Sequence, residues 1–143
     1  MTRVAEHALS LAELCEATVH VLYVVDETAY ASIPKDTRER VREALEGDGE
    51  SATKTIAERA IARGLTVTRE VRWGDPAVAI IAYAVENDVD MIVMGTRGKT
   101  GFERYLLGSV AEKVVRVSPV PVVTVYAGDR EALLSELNDL IGI

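Results

Sequence analysis

Residues 90–126, which read DMIVMGTRGKTGFERYLLGSVAEKVVRVSPVPVVTVY, are the stretch that decides the fold. They open with the apolar run 91–94, which is typical of a strand buried on both faces of a parallel sheet. A glycine-rich loop with basic side chains follows, and Gly108-Ser109 then begins an amphipathic helical segment. The order of strand, basic loop and helix N-terminus favours a phosphate ligand, because backbone N–H groups and the helix dipole both attract an anion.

The spacing of the glycines distinguishes this loop from other phosphate-binding motifs. Two residues separate Gly95 from Gly98, nine separate Gly98 from Gly108, and Ser109 follows as a candidate N-cap. Neither the Walker loop nor the dinucleotide fingerprint has this spacing. The pattern resembles the nucleotide-binding signature of the universal stress protein family, in its ATP-binding branch.

The resemblance extends over roughly residues 4–126. The stretches 19–26, 74–76 and 118–123 stand where that family has its second strand, its third-strand turn and its last strand. The resemblance therefore implies an α/β fold with a doubly wound parallel sheet, of the Rossmann-like or adenine nucleotide alpha hydrolase-like type.

Composition narrows the class of protein. The 143 residues are 48% hydrophobic, which predicts one globular domain with its own core. A net charge of −7 argues against nucleic acid and anionic membranes as partners. No apolar run is long enough for a membrane span, and the single cysteine, Cys15, favours a reducing cytoplasm.

Hydrophobic periodicity predicts alternating helices and strands, the pattern of an α/β domain. The predicted helices cover Thr2–Glu16, Asp36–Leu45, Ser51–Arg63, 76–86 and the segment that opens at Ser109, and the predicted strands cover Thr18–Val25, Leu65–Trp73, Met91–Met94 and Pro121–Tyr126. Residues 27–34 are expected to be a loop, and Gly47-Asp48-Gly49 is expected to break the chain between two helices. Asp75 and Pro76 are expected to cap and begin the fourth helix, and Gly64 to close the third.

The C-terminal segment lies beyond the resembled domain. We divide the chain into a domain at 1–126 and a helical extension at 127–143, in which Leu133, Leu137, Leu140 and Ile141 share one face. Such a helix can dock on its own domain or bind a partner. In the resembled family the last strand, here 121–126, pairs with its copy in a homodimer.

The N-terminus departs from the family pattern. The family begins with a strand that ends in an adenine-contacting aspartate, whereas this chain starts inside the first helix. That strand is the middle one of the order 3-2-1-4-5. Three explanations stay open: a start assigned at an internal Met, closure of the gap by other strands or another chain, or a diverged relative that does not bind nucleotide. We predict a disturbed sheet centre and a weakened adenine pocket.

The resemblance implies a specific set of ligand-contacting residues. Those expected around the ribose and phosphates are Gly95, Arg97, Gly98, Gly108, Ser109 and Val110. Val24 and Met94 would line the adenine, and Asp26 would sit at the rim of the pocket. Lys99 and Arg104 are either phosphate contacts or solvated loop charges, and Trp73 either covers the pocket or, as we prefer, packs beneath the loop.

The remaining candidate residues favour binding over catalysis. Neither His7 nor His20 has the spacing of a metal site, and no Ser/His/Asp or Cys/His arrangement is present. Cys15 shares a helical face with Val4, and we expect its thiol to be buried.

The resemblance therefore implies a dimeric stress-response module that binds ATP or AMP, with Mg²⁺ as a candidate companion of the nucleotide. The rival hypotheses are an interaction scaffold without ligand, with an unidentified protein partner, and a slow ATPase or autophosphorylating protein that would act at Ser109.

Overall fold

A computed structural model describes residues 2–96, 107–126 and 128–142. Helices and strands alternate along these ranges, as the periodicity predicts. In chain order the elements are α1 (Thr2–Cys15), β1 (Val19–Asp26), α2 (Glu27–Ala31), α3 (Lys35–Ala62), β2 (Val67–Gly74), α4 (Pro76–Glu86), β3 (Ile92–Gly95), α5 (Ser109–Val117), β4 (Val122–Val125) and α6 (Arg130–Ile141). None of the described helices is long and apolar enough to cross a membrane.

The described strands form two separate parallel pairs rather than one sheet. β1 pairs with β2, in a register that places Val19 opposite Val67. β3 pairs with β4, and Ile92 lies opposite Val122. No ladder joins β1 to β3 among the described residues. The predicted disturbance of the sheet centre is confirmed, because the family's additional strand belongs between these two.

Helices cover both faces of the strand pairs. α3 packs on one face of the β1–β2 pair, and α4 packs against both of those strands and against α5. The main apolar cluster lies where α4 and α5 meet the β3–β4 pair, and its buried members are Ala77, Ala84, Ile92 and Val114. Arg63, at the end of α3, forms ion pairs with Glu6 and Glu13 of α1, and these pairs join the two helices.

α3 is one continuous helix, so the predicted break at Gly47-Asp48-Gly49 is wrong. Gly49 is buried where α3 lies against the strands. A Cβ atom at this position would lie 2.8 Å from Cδ1 of Tyr23 and 3.0 Å from Cγ2 of Val71. The glycine therefore permits a close approach of the helix to β1 and β2, and the packing outweighs its low helix propensity.

The predicted burial pattern of α1 differs from the structure. The buried residues of α1 are Val4, Ala5, Leu9 and Ala12, and Cys15 is exposed, so the prediction of a buried thiol is wrong. The apolar face is rotated relative to the predicted one, which leaves the last turn of α1 in solvent.

The predicted local signals around α3 and α4 are confirmed. A carboxylate oxygen of Asp75 accepts a hydrogen bond from Val78 N at 3.1 Å, and Pro76 occupies the first helical position. Gly64 follows α3 with a φ of +77°, the left-handed conformation that glycine adopts without a Cβ clash. Residues 27–31, predicted as loop, form the short helix α2 instead.

The two glycines of α3 provide a matched pair of substitutions. Gly47→Ala should raise the free energy of unfolding by about 0.5–1 kcal/mol, because no atom lies near its Cβ position and alanine favours the helix. Gly49→Ala should lower it by about 1–3 kcal/mol, because the methyl group overpacks against Tyr23 and Val71. Urea denaturation of both variants measures the difference, and equal effects at the two positions would contradict the close approach.

Candidate functional site

The glycine-rich loop is closed at its base by backbone hydrogen bonds. Gly108 N donates to Thr96 O, and Thr96 N donates to Val125 O at 3.0 Å. The first bond joins the residue after β3 to the residue before α5, and the second ties the same residue to β4. Gly95, Thr96 and the start of α5 are therefore held together at the carboxyl end of β3, the edge at which open α/β sheets bind ligands.

The N-terminus of α5 presents backbone donors at this edge. Gly108 is the N-cap residue, with extended backbone angles (φ −67°, ψ 162°), and no described side chain caps the helix. The prediction of Ser109 as N-cap is therefore wrong by one residue. Gly108 O accepts from Glu112 N at 2.9 Å, so the N–H groups of Ser109 and Val110 precede the first bonded turn and lack intrahelical acceptors. They are suitable donors to an anion.

Thr96 is a residue of this site that the sequence analysis missed. Its side chain is buried, and its hydroxyl oxygen has no hydrogen-bond partner among the described residues. A buried hydroxyl without a partner is unfavourable and calls for an explanation such as a ligand or water. A signal was present in the sequence, because Thr96 continues the alternation of Ile92 and Met94 and directly follows a motif glycine.

The residues expected at the adenine are divided between the two strand pairs. Val24 and Asp26 lie near the end of β1, whereas Met94 lies on β3 and packs against the α4–α5 cluster. The Asp26 carboxylate accepts hydrogen bonds from Thr28 N at 2.9 Å and from Thr28 Oγ1 at 2.6 Å, and Thr28 lies in the first turn of α2. Asp26 thus has a local structural role at the position where a pocket rim was predicted.

Four predicted ligand contacts, Arg97, Gly98, Lys99 and Arg104, lie outside the described residues. Trp73 is described, but the loop beneath which we predict it to pack lies outside the described residues. Its indole Nε1 donates to Glu46 at 3.1 Å, and the guanidinium of Arg42 lies 5.0 Å from the centre of its ring. Both partners belong to α3, so Trp73 packs in the helix layer on that face.

Polar side chains between β1, β2 and α4 bond mainly to one another. Arg72 bonds to Glu86 at 2.7 Å and also to Glu70, and these hydrogen bonds raise the pKa of its guanidinium. His20 Nδ1 lies 2.7 Å from the Tyr83 hydroxyl, with the two rings edge to face. His20 therefore has a structural role. Among the described residues, no group of three or more His, Cys, Asp or Glu could hold a metal ion.

The parallel strand pairs, covering helices and closed loop define a Rossmann-like α/β domain. The family model of the universal stress protein family matches residues 1–126, and the chain belongs to this family.

Relatives and solved structures agree with this assignment. A universal stress protein of Methanocaldococcus jannaschii, MJ0531, is 38% identical over 128 residues, which cover 89% of this chain and 75% of that protein. One from Methanothermobacter thermautotrophicus is 38% identical over 130 residues, covering 85% of each chain. The solved structure of M. jannaschii protein MJ0577 has a TM-score of 0.78 at 28% identity, and 88% of this chain matches 87% of that one. A universal stress protein in complex with cAMP shares the fold, with a TM-score of 0.60 at 22% identity over 88% and 87% of the chains.

Thr96 and Thr53 form a second matched pair, since both are buried. The Thr53 hydroxyl donates to Gly49 O at 2.8 Å and lies 3.3 Å from an Arg69 nitrogen, so Thr53→Val should destabilise the fold by about 1 kcal/mol. Thr96→Val should be neutral or stabilise by about 1 kcal/mol, because it removes an oxygen without a described partner. Urea denaturation without ligand tests both, and equal losses would show that the Thr96 hydroxyl is bonded in the folded protein.

Proposed function

We propose that this universal stress protein binds ATP or AMP and acts as a dimeric stress-response module, regulated by nucleotide occupancy. The observation that carries the proposal is the closed base of the loop, where Thr96 O bonds to Gly108 N. It holds a glycine-bounded loop and a helix N-terminus at the ligand-binding edge of the fold. The exposed free thiol of Cys15 fits a reducing cytoplasm.

The phosphate half of the site is the better supported half. The N–H groups of Ser109 and Val110 and the positive end of the α5 dipole would hold phosphate oxygens. The buried Thr96 hydroxyl lies at the base of this site, next to Gly95, and a bound ligand or water would give it a partner. In the remainder of the loop, Arg97 and Gly98 are proposed ligand contacts from the family signature. A universal stress protein solved with cAMP makes adenine nucleotides the ligands to test.

The adenine half of the site would lie between the two strand pairs. Val24 and Asp26 end one pair and Met94 lies on the other, and no described ladder fixes the distance between the pairs. We therefore propose that the phosphates provide most of the affinity, in the order ATP, AMP and adenosine. If Mg²⁺ accompanies the nucleotide, it would be held mainly by the phosphate oxygens, since the described residues offer no metal cluster.

The regulatory part of the proposal follows from the two bonds of Thr96. Its carbonyl binds the base of the loop through Gly108, and its N–H binds Val125 on β4. A nucleotide that contacts the loop would therefore act on the strand that we propose as the dimer edge. β4 has β3 as its single described neighbour, which leaves its other edge available for antiparallel pairing with a second copy.

Ser109→Asp separates ligand binding from folding. The carboxylate at the α5 N-terminus should stabilise the helix by about 0.3–1 kcal/mol, whereas it should repel phosphate and weaken ATP binding by roughly tenfold or more. Titration calorimetry measures the affinity, and thermal unfolding measures the stability. Ser51→Asp adds the same charge to an exposed position on α3 and should leave the affinity unchanged. ATP binding by Ser109→Asp at wild-type affinity would contradict a phosphate site at this helix.

Thr124→Pro tests the proposed dimer edge. The carbonyls of Pro121 and Val125 face β3, because they accept from Ile92 N and Thr96 N. Alternation along the strand then directs the N–H of Thr124 to the free edge. Its removal should convert the dimer to monomer in analytical ultracentrifugation, whereas Thr124→Val, which keeps the N–H, should remain dimeric. A dimer that tolerates the proline would have to form elsewhere.

The interaction scaffold is the second candidate function, and the split sheet is the observation that favours it. Since no ladder joins β1 to β3 in the part of the chain that the structure describes, the two sides of the adenine position can separate. Failure of the wild-type protein to bind ATP, AMP or adenosine, together with an intact dimer, would support the scaffold and exclude the nucleotide-binding proposal.

A further inference from the structure

None of the described residues of α6 is buried, and hydrogen bonds define where the helix begins. The Asp129 side chain caps it by accepting from Glu131 N at 3.0 Å, and the Tyr126 hydroxyl donates to Asp129 O at 3.0 Å. A Cβ atom at Gly128 would lie 2.5 Å from the Tyr126 hydroxyl oxygen, so a larger residue here would displace the Tyr126 side chain. The hydrogen bond from Tyr126, the residue after β4, ties the start of the helix to the end of that strand. The helix also lies beyond residue 126, where the match to the family model ends.

An apolar stripe runs along α6. Leu134, Leu137 and Ile141 recur at i, i+3 and i+7, the spacing of residues that contact a neighbouring helix. Leu134 is 61% exposed and Ile141 is 64% exposed, while Leu137 is half-buried. Arg130 continues the stripe at its N-terminal end, four residues before Leu134. The stripe thus combines a cation at one end with large apolar side chains towards the other.

A groove of about 660 Å³ lies beside this stripe, between α1, β4 and α6. Its apolar lining comes mainly from β4 and α6 and includes Val123, Val125, Leu133 and Leu134. Arg3 and Arg130 also line it and make it locally cationic, in a chain whose net charge is −7. The groove therefore suits an occupant that is apolar along its length and negative at one end.

We propose that the occupant is the C-terminal half of α6 from a second copy of this chain, lying antiparallel to the first α6. The proposal rests on the proposed dimer and extends its interface beyond the β4 edge. The apolar residues Leu137 and Ile141 of the second copy fill the groove. The negative end of its helix dipole, with the last free carbonyls, meets Arg3 and Arg130.

The twofold symmetry of a dimer makes this contact self-complementary. Each copy offers one groove and one α6, so a single twofold axis satisfies both contacts. The groove adjoins β4, and α6 follows β4 after a short turn, so the same axis can relate two β4 edges and two α6 helices. Charge complementarity and this continuity select a second copy over an unrelated partner.

Single charges on α6 test the contact through the dimer dissociation constant. Leu134→Glu should weaken the dimer by roughly 100-fold in sedimentation velocity, because the interface loses the same apolar contact twice. Ser135→Glu places the same charge on the next residue, away from the stripe, and should leave the dissociation constant unchanged. A wild-type dissociation constant for Leu134→Glu would overturn the proposal.

Disulfide trapping tests the antiparallel orientation. In a Cys15→Ser background, Arg130→Cys combined with Ile141→Cys should crosslink two copies under mild oxidation. Each single variant should remain uncrosslinked, because its two thiols would be roughly 16 Å apart at about 1.5 Å per residue, beyond the ~7 Å Cα separation that a disulfide spans. Crosslinking of the Arg130→Cys variant alone would indicate parallel helices and overturn the model.

The outcomes distinguish this inference from the proposed function. A wild-type dimer that Thr124→Pro disrupts and Leu134→Glu leaves intact would retain the β4 interface and exclude the α6 contact. A concentration-independent loss of thermal stability in Leu134→Glu, without a change in dimerisation, would show that α6 docks on its own domain. A monomeric wild type would overturn both interfaces, while calorimetry would still decide nucleotide binding separately.

Discussion

Side-chain packing through α4 holds the two strand pairs in one domain. α4 lies on β1 and β2, and its buried residues Ala77 and Ala84 also join the cluster that contains Ile92 and Val114. The described residues provide no ladder between β1 and β3, so burial of apolar surface has to hold this boundary together. The facing strand edges carry backbone N–H and C=O groups, which must bond to water or to another partner. The boundary is thus the part of the fold at which the chain can most readily open.

This division affects the two halves of the candidate site differently. The loop base, the start of α5 and Thr96 all belong to the β3–β4 side and are held by backbone hydrogen bonds. The proposed adenine contacts belong to both sides, and Asp26 already satisfies Thr28. Motion of the β1–β2 pair relative to the β3–β4 pair would change the distance from Val24 to Met94 while leaving the hydrogen bonds at the loop base intact. A phosphate site can therefore survive conditions under which an adenine pocket would not.

The sequence was sufficient to predict the features that depend on local chemistry. The alternation of helices and strands, the cap at Asp75 and the left-handed glycine at Gly64 follow from rules that act within a short stretch of the chain, and the structure confirms them. The glycine spacing indicated the family because these glycines belong to one continuous segment, so their spacing can be taken from the sequence without knowledge of the fold.

The failures have a common cause, which is that long-range packing decides them. Gly49 was interpreted as a helix breaker from its local sequence alone. Its contacts with Tyr23 and Val71 come from strands that are distant in sequence, so the sequence does not reveal them. Cys15 was expected to be buried because it shares a helical face with Val4. The expectation failed because the elements beneath α1, rather than its own periodicity, decide which face is buried. Thr96 was passed over because the sequence does not show that a hydroxyl will be enclosed without a described partner.

The position of Thr96 would connect the proposed ligand site with the proposed dimer edge without a long pathway. Its backbone joins the base of the loop to β4, and α6 leaves β4 through the turn at Gly128. Any ligand whose binding shifts this one peptide acts on the strand edge directly. Thermodynamic linkage requires the effect to be reciprocal, so a dimer that favours one arrangement of β4 must change nucleotide affinity by the same factor. A connection of two backbone hydrogen bonds is short enough to transmit a small displacement, because packed protein interiors deform little.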